Sequence, residues 1–329
     1  MARPGVMHEL TRYHEDRTEV VVYRDGDDLV FANDYDDYGR RLVSQERLTV
    51  EDFLARGEGP WPWYQMPPGR REGALRVAAA LGVSHVAWAA PLPADVLELF
   101  IAADGGFGVR PVDVLLEGGM DPDPLDHCGA SPLWYALGGA RPHAALDLLA
   151  AGADPGRRID VSARGDSFTT ILHRMAAWCV VDALTYALRG GTDPDVVDSG
   201  GATPMHAADY RYDDRFPAVV RGLAHAGADV DALAADGVRP IGRAALRMMP
   251  RTVTALIAAG AAPGPGLDTL LSHWATTHAG RHKFDAPRVV EIIELLLAAG
   301  AEVTSRHLAL AEQAAETTVI SALRMRENN

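Results

Sequence analysis

Three histidines gather in the last quarter of the chain, His273, His278 and His282, with Asp285 close behind. Two imidazoles four residues apart lie on one face of a helix, which is how a pair of histidines shares a metal ion. His278 and His282 have that spacing, but Gly280 lies between them and no glutamate follows the first histidine. The stretch also interrupts a repeating pattern described below, so a loop without metal is expected. Two acidic clusters, Asp25, Asp27 and Asp28, then Asp34, Asp36 and Asp37, carry oxygen ligands of the kind calcium takes. They lack the twelve-residue loop and its terminal glutamate, so a solvated hairpin tip is expected. His14, Glu15 and Asp16 offer acid and base groups in one short run. No glycine-rich phosphate loop, nucleophile elbow or paired zinc motif occurs. No catalytic residue, metal or cofactor is assigned.

The elements that would position such groups follow from a recurring glycine: Gly119, Gly152, Gly191, Gly227, Gly260 and Gly300. The neighbours recur with it, as GMDP, GADP, GTDP, GADV, GAAP and GAEV. The spacings are those of a 33-residue unit with insertions of zero, six, three, zero and seven residues. A period of this length means a stack of small supersecondary units rather than one globular core. Between glycines come the short motifs SPLW (131–134), TILH (170–173), TPMH (203–206) and RPIG (239–242). A Ser or Thr followed by Pro starts a helix, because the hydroxyl caps free N–H groups and Pro suits the first turn. Segments such as AALDLLAAG (144–152) and VVEIIELLLAAG (289–300) have apolar residues at helical spacing, and the closing Gly fits a left-handed C-cap.

These residues resemble the ankyrin repeat. Its pattern is matched without a gap by Asp126, Gly129, Ser131, Pro132, Leu133, Ala136, Leu148, Leu149, Gly152, Ala153 and Asp154. Asp198, Gly201, Thr203, Pro204, Met205, His206, Ala207, Ala208, Gly227, Ala228 and Asp229 match it with three extra residues. Residues 237–261 match more loosely, with Arg239 for Thr and Gly242 for His, and Ile171 replaces Pro in the unit ending at Gly191. The resemblance implies a mainly α fold: an ankyrin-repeat solenoid of about six helix-turn-helix units over residues 91–303. Residues 304–329 are expected to form a C-terminal capping helix. Residues 1–90 do not fit the repeat and are expected to form a small α+β N-terminal cap. In it, TEVVVYRDGDDLVFAND suggests two short strands around a turn, while LTVEDFLARG (48–57) and EGALRVAAALG (72–82) read as helices.

The resemblance gives His173 and His206 a structural role, bonded back to the motif threonine and its turn. It also makes the first helices the lining of a concave groove. Outward positions on that surface are Trp134, Tyr135, Arg174, Trp178, Tyr210, Arg211, Arg243 and Arg247, a stripe of arginines and aromatics such as anchors protein interfaces. The expected function is non-enzymatic binding of a protein or peptide with acidic groups, in the manner of a bacterial immunity protein or an assembly partner. The competing expectation is an enzyme tailoring a peptide or small molecule in a pocket closed by the N-terminal cap and the histidine-rich insertion.

Composition bounds these readings. Of 329 residues, 48 % are hydrophobic, enough to fold, and the net charge is −14. Nucleic-acid binding requires clustered basic residues, and the acidic excess is spread along the chain, so no nucleic-acid partner is expected. Lys283 is the sole lysine, a bias of GC-rich bacterial genomes. Cys128 and Cys179 form neither a disulfide framework nor a zinc quartet. There is no apolar run of about 18 residues and no signal-peptide core at the start, so a cytoplasmic protein without a membrane partner is expected.

Overall fold

The computed structural model describes residues 8–15, 18–37, 40–51, 53, 76–83, 92–106, 108–126, 129–139, 141–160, 167–278, 286–313 and 317–327. The architecture is mainly helical. Packing divides it into two compact units, residues 1–135 with 159–168, and residues 136–158 with 169–329. That boundary falls inside a helix, 132–138.

The first unit opens with an antiparallel sheet of four strands in sequence order, β1 (His8–Glu15), β2 (Thr18–Asp25), β3 (Asp28–Asp37) and β4 (Arg40–Thr49). β2 and β3 are the expected hairpin. Asp25 pairs with Asp28 across Gly26, whose φ of 65° suits the first central position of a two-residue turn. β1 and β4 exceed the expectation, because HELTRYHE and RRLVSQERLT are too charged to stand out as strands by composition. Residues 76–80 are helical as expected, and so are residues 50, 51 and 53, although Leu48 and Thr49 belong to β4 and residues 52 and 54–57 lie outside the described residues. Helices α1 (Ala94–Asp104) and α2 (Val112–Glu117) follow, tied by Arg110, whose guanidinium donates to both oxygens of Glu98 at 2.8 and 3.1 Å. The Arg110 guanidinium holds the Glu98 carboxyl down to about 2. Leu99, Phe100, Leu115, Leu133 and Tyr135 are buried, and the Phe100 and Tyr135 rings meet edge to face at 5.5 Å.

Helix α3 (Pro132–Gly138) leads into α4 (Pro142–Ala150), and strands β5 (Arg158–Asp160) and β6 (Phe168–Thr170) form a two-stranded ribbon in the long turn that follows. The second unit continues with α5 (Ile171–Ala177) and α6 (Val181–Arg189), then two 3₁₀ turns (Pro204–His206, Tyr210–Tyr212) before α7 (Phe216–His225). After these come α8 (Pro240–Leu246), α9 (Pro250–Ala258), α10 (Gly264–His278), α11 (Ala286–Ala298), α12 (Ser305–Gln313) and α13 (Thr317–Glu327). The contacts form two rows. One runs from α5 through the first 3₁₀ turn to α8, α10 and α12; the other runs from α4 through α6, α7, α9 and α11 to α13. Each row buries small and branched residues between neighbours, including Ala176, Ile241, Ala245 and Leu271 in the first and Leu148, Leu184, Leu223 and Leu256 in the second. Every recurring glycine has positive φ, from 81° at Gly119 to 106° at Gly152. At Gly152 a β-carbon would meet nothing within 4 Å, so the requirement there is purely one of backbone conformation.

The structure corrects three expectations. The C-terminal segment is a helix pair, not one capping helix. Thr304 and His307 repeat the Thr–His motif, with the Thr304 N–H donating to His307 Nδ1 at 3.2 Å. Ser305 stands where the motif has Pro, and no closing glycine follows α13, which is why the repeat escaped notice. The described residues thus contain seven consecutive helix pairs, counting the 3₁₀ turns with α7, where about six were expected. The stretch before His278 is not a loop, since α10 runs through His273 to His278; residues 279–285, with His282 and Asp285, lie outside the described residues.

Candidate functional site

The motif histidines are structural. His173 Nδ1 lies 2.8 Å from Thr170 Oγ1 and its Nε2 lies 2.8 Å from the carbonyl of Ala202 in the next unit. Thr203 N–H donates to His206 Nδ1 at 3.1 Å, so Nε2 carries the proton that faces the Val238 carbonyl at 3.1 Å. Burial pushes both imidazoles below their ordinary pKa. His307 follows the same scheme but faces a carboxylate, Asp268, at 2.7 Å. Where Trp134 replaces the histidine, the buried Ser131 hydroxyl has no hydrogen-bond partner among the described residues.

The turns between units are stitched side by side. Asp154, Asp193 and Asp229, which follow the recurring glycine, each accept from the N–H two residues on at 2.9 Å. Asp195 then accepts from the N–H of Asp229 at 3.0 Å, Asp231 from that of Ala262 at 3.1 Å, and Ala235 N–H donates to the Gly200 carbonyl at 2.9 Å. The result is a continuous edge of backbone held by carboxylates. On it Val197 and Leu233 stand 50 % and 61 % exposed, each six residues after its recurring glycine. In the first unit Leu125 holds the same place after Gly119 and is also exposed.

The residues read as an outward stripe fare differently from one another. Tyr135 is not outward. It is buried, its hydroxyl donating to Asp126, because this ring fills the gap beside Phe100. Trp134, on the same helix turn, is half-buried. Arg174 is half-buried with its guanidinium 5.1 Å from the Trp178 ring centroid, and it lies so near Gly138 that a β-carbon there would collide with it. Tyr210 is exposed, at 69 %. Arg211 is exposed but bonded through two nitrogens to Asp209 at 2.8 and 3.0 Å, and it holds that carboxyl below the usual carboxylate range. Arg243 pairs with Asp236 at 2.6 Å, and Arg247 donates to the Ala208 carbonyl. All four arginines are therefore engaged with their own chain, and Arg247 fastens the segment that carries Tyr210.

That segment is where the array departs most from regularity. The Thr203–His206 capping box closes a 3₁₀ turn, and Asp209 starts a second one by accepting from Arg211 N–H at 3.0 Å. The run Asp-Tyr-Arg-Tyr-Asp-Asp resists an α-helix, which leaves Tyr210, Arg211 and Tyr212 on an irregular ridge. Leu125, Val197 and Leu233 were missed as surface residues. Their constant distance from the recurring glycine was a usable signal; their exposure was not.

The free thiol of Cys179 is buried, which pushes it up to about 11, and Cys128 lies outside the described residues. Among the described residues no group of three His, Cys, Asp or Glu side chains is placed to hold a metal ion, and no helix is long and apolar enough to cross a membrane. Comparison with known protein families and with curated proteins gives no match.

Proposed function

We propose that this chain is an ankyrin-type repeat protein that acts without catalysis, in a bacterial cytoplasm, by binding a partner protein or peptide. The reading is supported by the ordered Asp–Gly–Thr–Pro–His motifs, the structural use of the histidines and the stitched turns. One observation carries it: exposed apolar side chains recur at one turn position, Val197 and Leu233, on a rigid edge. Apolar side chains held out at a repeated position cost solvation in the free protein, and a partner that covers them recovers it. The partner contributes acidic groups opposite Arg211, whose guanidinium remains solvent-facing while paired.

The test uses a photo-crosslinking amino acid placed at Leu233, at Tyr210 and, as a control, at the exposed Tyr186 of α6. Adducts in source cells from 233 and 210 but not 186 support the reading, and equal adducts from all three sink it. With the partner identified, Val197→Asp with Leu233→Asp weakens binding at least about tenfold and leaves the urea midpoint unchanged.

A further inference from the structure

The turns that follow the recurring glycines differ from one another, and two of their differences go together. Where the sixth residue after the glycine is apolar, as at Leu125, Val197 and Leu233, it is exposed. Those turns are GMDPDPLDHCGA (119–130), GTDPDVVDSGGAT (191–203) and GADVDALAADGV (227–238), and each holds three aspartates with neither Lys nor Arg. The other turns lack both features. After Gly152 the sixth residue is Arg158, beside Arg157, and after Gly300 it is Arg306. After Gly260 it is Gly266, and GAAPGPG (260–266) carries no charge. An exposed apolar side chain and an acid-only turn therefore come as a set.

In the second unit two such turns lie side by side. Asp195 accepts from the Asp229 N–H at 3.0 Å, the Gly200 carbonyl accepts from the Ala235 N–H at 2.9 Å, and Val197 and Leu233 fall between these two links. Asp193, Asp195, Asp198 and Asp229 accept backbone N–H groups. No ion pair within 4.0 Å joins any of these four to a basic group among the described residues. A backbone N–H satisfies a carboxylate oxygen without cancelling its charge. Arg239 and Arg243, which follow the second turn, bond the Asp231 carbonyl and the Asp236 carboxylate. The edge is thus apolar at its exposed side chains and negative around them, in a molecule of net charge −14. Among the described residues no three His, Cys, Asp or Glu side chains are placed to hold a metal ion. A bare cation would also leave Val197 and Leu233 uncovered.

We infer that the segment covering Val197 and Leu233 is a basic, apolar stretch of a partner polypeptide, with aliphatic side chains on that pair and Lys or Arg on the surrounding carboxylates. The inference rests on the reading of the turn edge as a binding surface, and it adds the charge of what binds there. Burial of the aliphatic pair supplies attraction, and opposite charge steers the encounter and rejects wrong partners. An acidic segment of the same shape meets repulsion on this edge. Arg211 belongs to neither turn, so its acidic counterpart is a separate part of the partner.

The experiment titrates the full chain with fluorescein-labelled, capped decapeptides, read by anisotropy: two Leu among Lys, two Leu among Glu, two Leu among Ser, and Ser in place of Leu among Lys. Unlabelled spermidine is the competitor. The Leu–Lys peptide binds at least about tenfold more tightly than each of the others, weakens as salt rises, and is not displaced by equimolar spermidine. Asp193→Asn with Asp229→Asn keeps the oxygen that accepts each turn N–H and removes two charges. It weakens that peptide at least about threefold without lowering the urea midpoint. Val197→Ser with Leu233→Ser reduces its binding to the level of the Ser–Lys peptide. Failure of the Leu–Lys peptide to outbind the Glu and Ser peptides, displacement by spermidine, or full binding by either double variant overturns the inference. A partner captured by crosslinking from 233 is mapped by mass spectrometry. A crosslinked segment rich in Lys or Arg supports the inference, and an acidic or uncharged one overturns it while the turn-edge reading stands. Equal adducts from all three crosslinking positions remove that reading itself.

Discussion

At the scale of single residues, the chain uses its most reactive side chains to hold turns together. His173 and His206 are neutral, each joining the start of its own motif to a carbonyl one unit away, and burial pushes both below the ordinary 6.5. The folded chain therefore binds fewer protons than the unfolded chain through this range. The histidine contribution is complete above the unfolded value near 6.5 and is drawn down as pH falls below it toward the lowered pKa values. The urea midpoint should accordingly fall between about pH 7.5 and pH 5.5. His206→Gln keeps a donor for Val238 but leaves the Thr203 N–H without its imidazole acceptor. It should cost about 1–3 kcal/mol at the higher pH and flatten the fall; an unchanged pH slope in the variant would place the proton uptake elsewhere. The same scale corrects the arginine stripe. Arg211, Arg243 and Arg247 looked free by helical position, yet each finds a carboxylate or carbonyl of its own chain.

At the scale of elements, strain and capping sit in the same short connections. Cys179 and Met248 have φ of 53° and 56°, the left-handed region, at matching places between α5 and α6 and between α8 and α9. A β-carbon there costs roughly 1–2 kcal/mol. Met248 is half-buried, so Met248→Gly should stabilise by a net of about 0.5 kcal/mol after the extra chain entropy that glycine loses on folding, read as a higher urea midpoint. Cys179→Gly gains less, because that side chain is buried. Asp213 works in the opposite sense, since its carboxylate caps a helix 39 residues further on. Asp213→Ala strips the cap and leaves the buried Thr252 hydroxyl without it, at a cost of about 1–3 kcal/mol. Hydrogen exchange confined to the first turn of α9 would locate the loss; uniform exchange across the unit would contradict it.

At the scale of the whole molecule, stability passes from neighbour to neighbour along two rows, and α12 and α13 pack on α10 and α11 as members of both. Removing residues 304–329 uncovers the sides of α10 and α11 against which α12 and α13 pack and takes away the His307 partner of Asp268. We expect a lower urea midpoint and self-association, measured by light scattering after size exclusion. A truncated chain that stays monomeric at full stability would show that the final pair covers nothing essential. Net charge of −14 sets the background for any partner. Association steered toward the exposed guanidinium of Arg211 should weaken as salt rises, because salt screens charges at the surface.

The sequence by itself determined the recurring glycines and the helix pairs between them, though not the last pair. Those features rest on local rules: a positive φ that only glycine holds cheaply, a hydroxyl that caps its own helix, and apolar residues at helical spacing. The same rules announced the β2–β3 hairpin through Asp-Gly-Asp-Asp. Tertiary structure alone decided which surface residues stand free. Tyr135 turned inward because Phe100 and Asp126, 35 and 9 residues away, meet it there. Arg247 reached a carbonyl in the preceding unit. Each outcome depends on partners a whole repeat away, and a spacing read along one chain carries no information about which of them will be near.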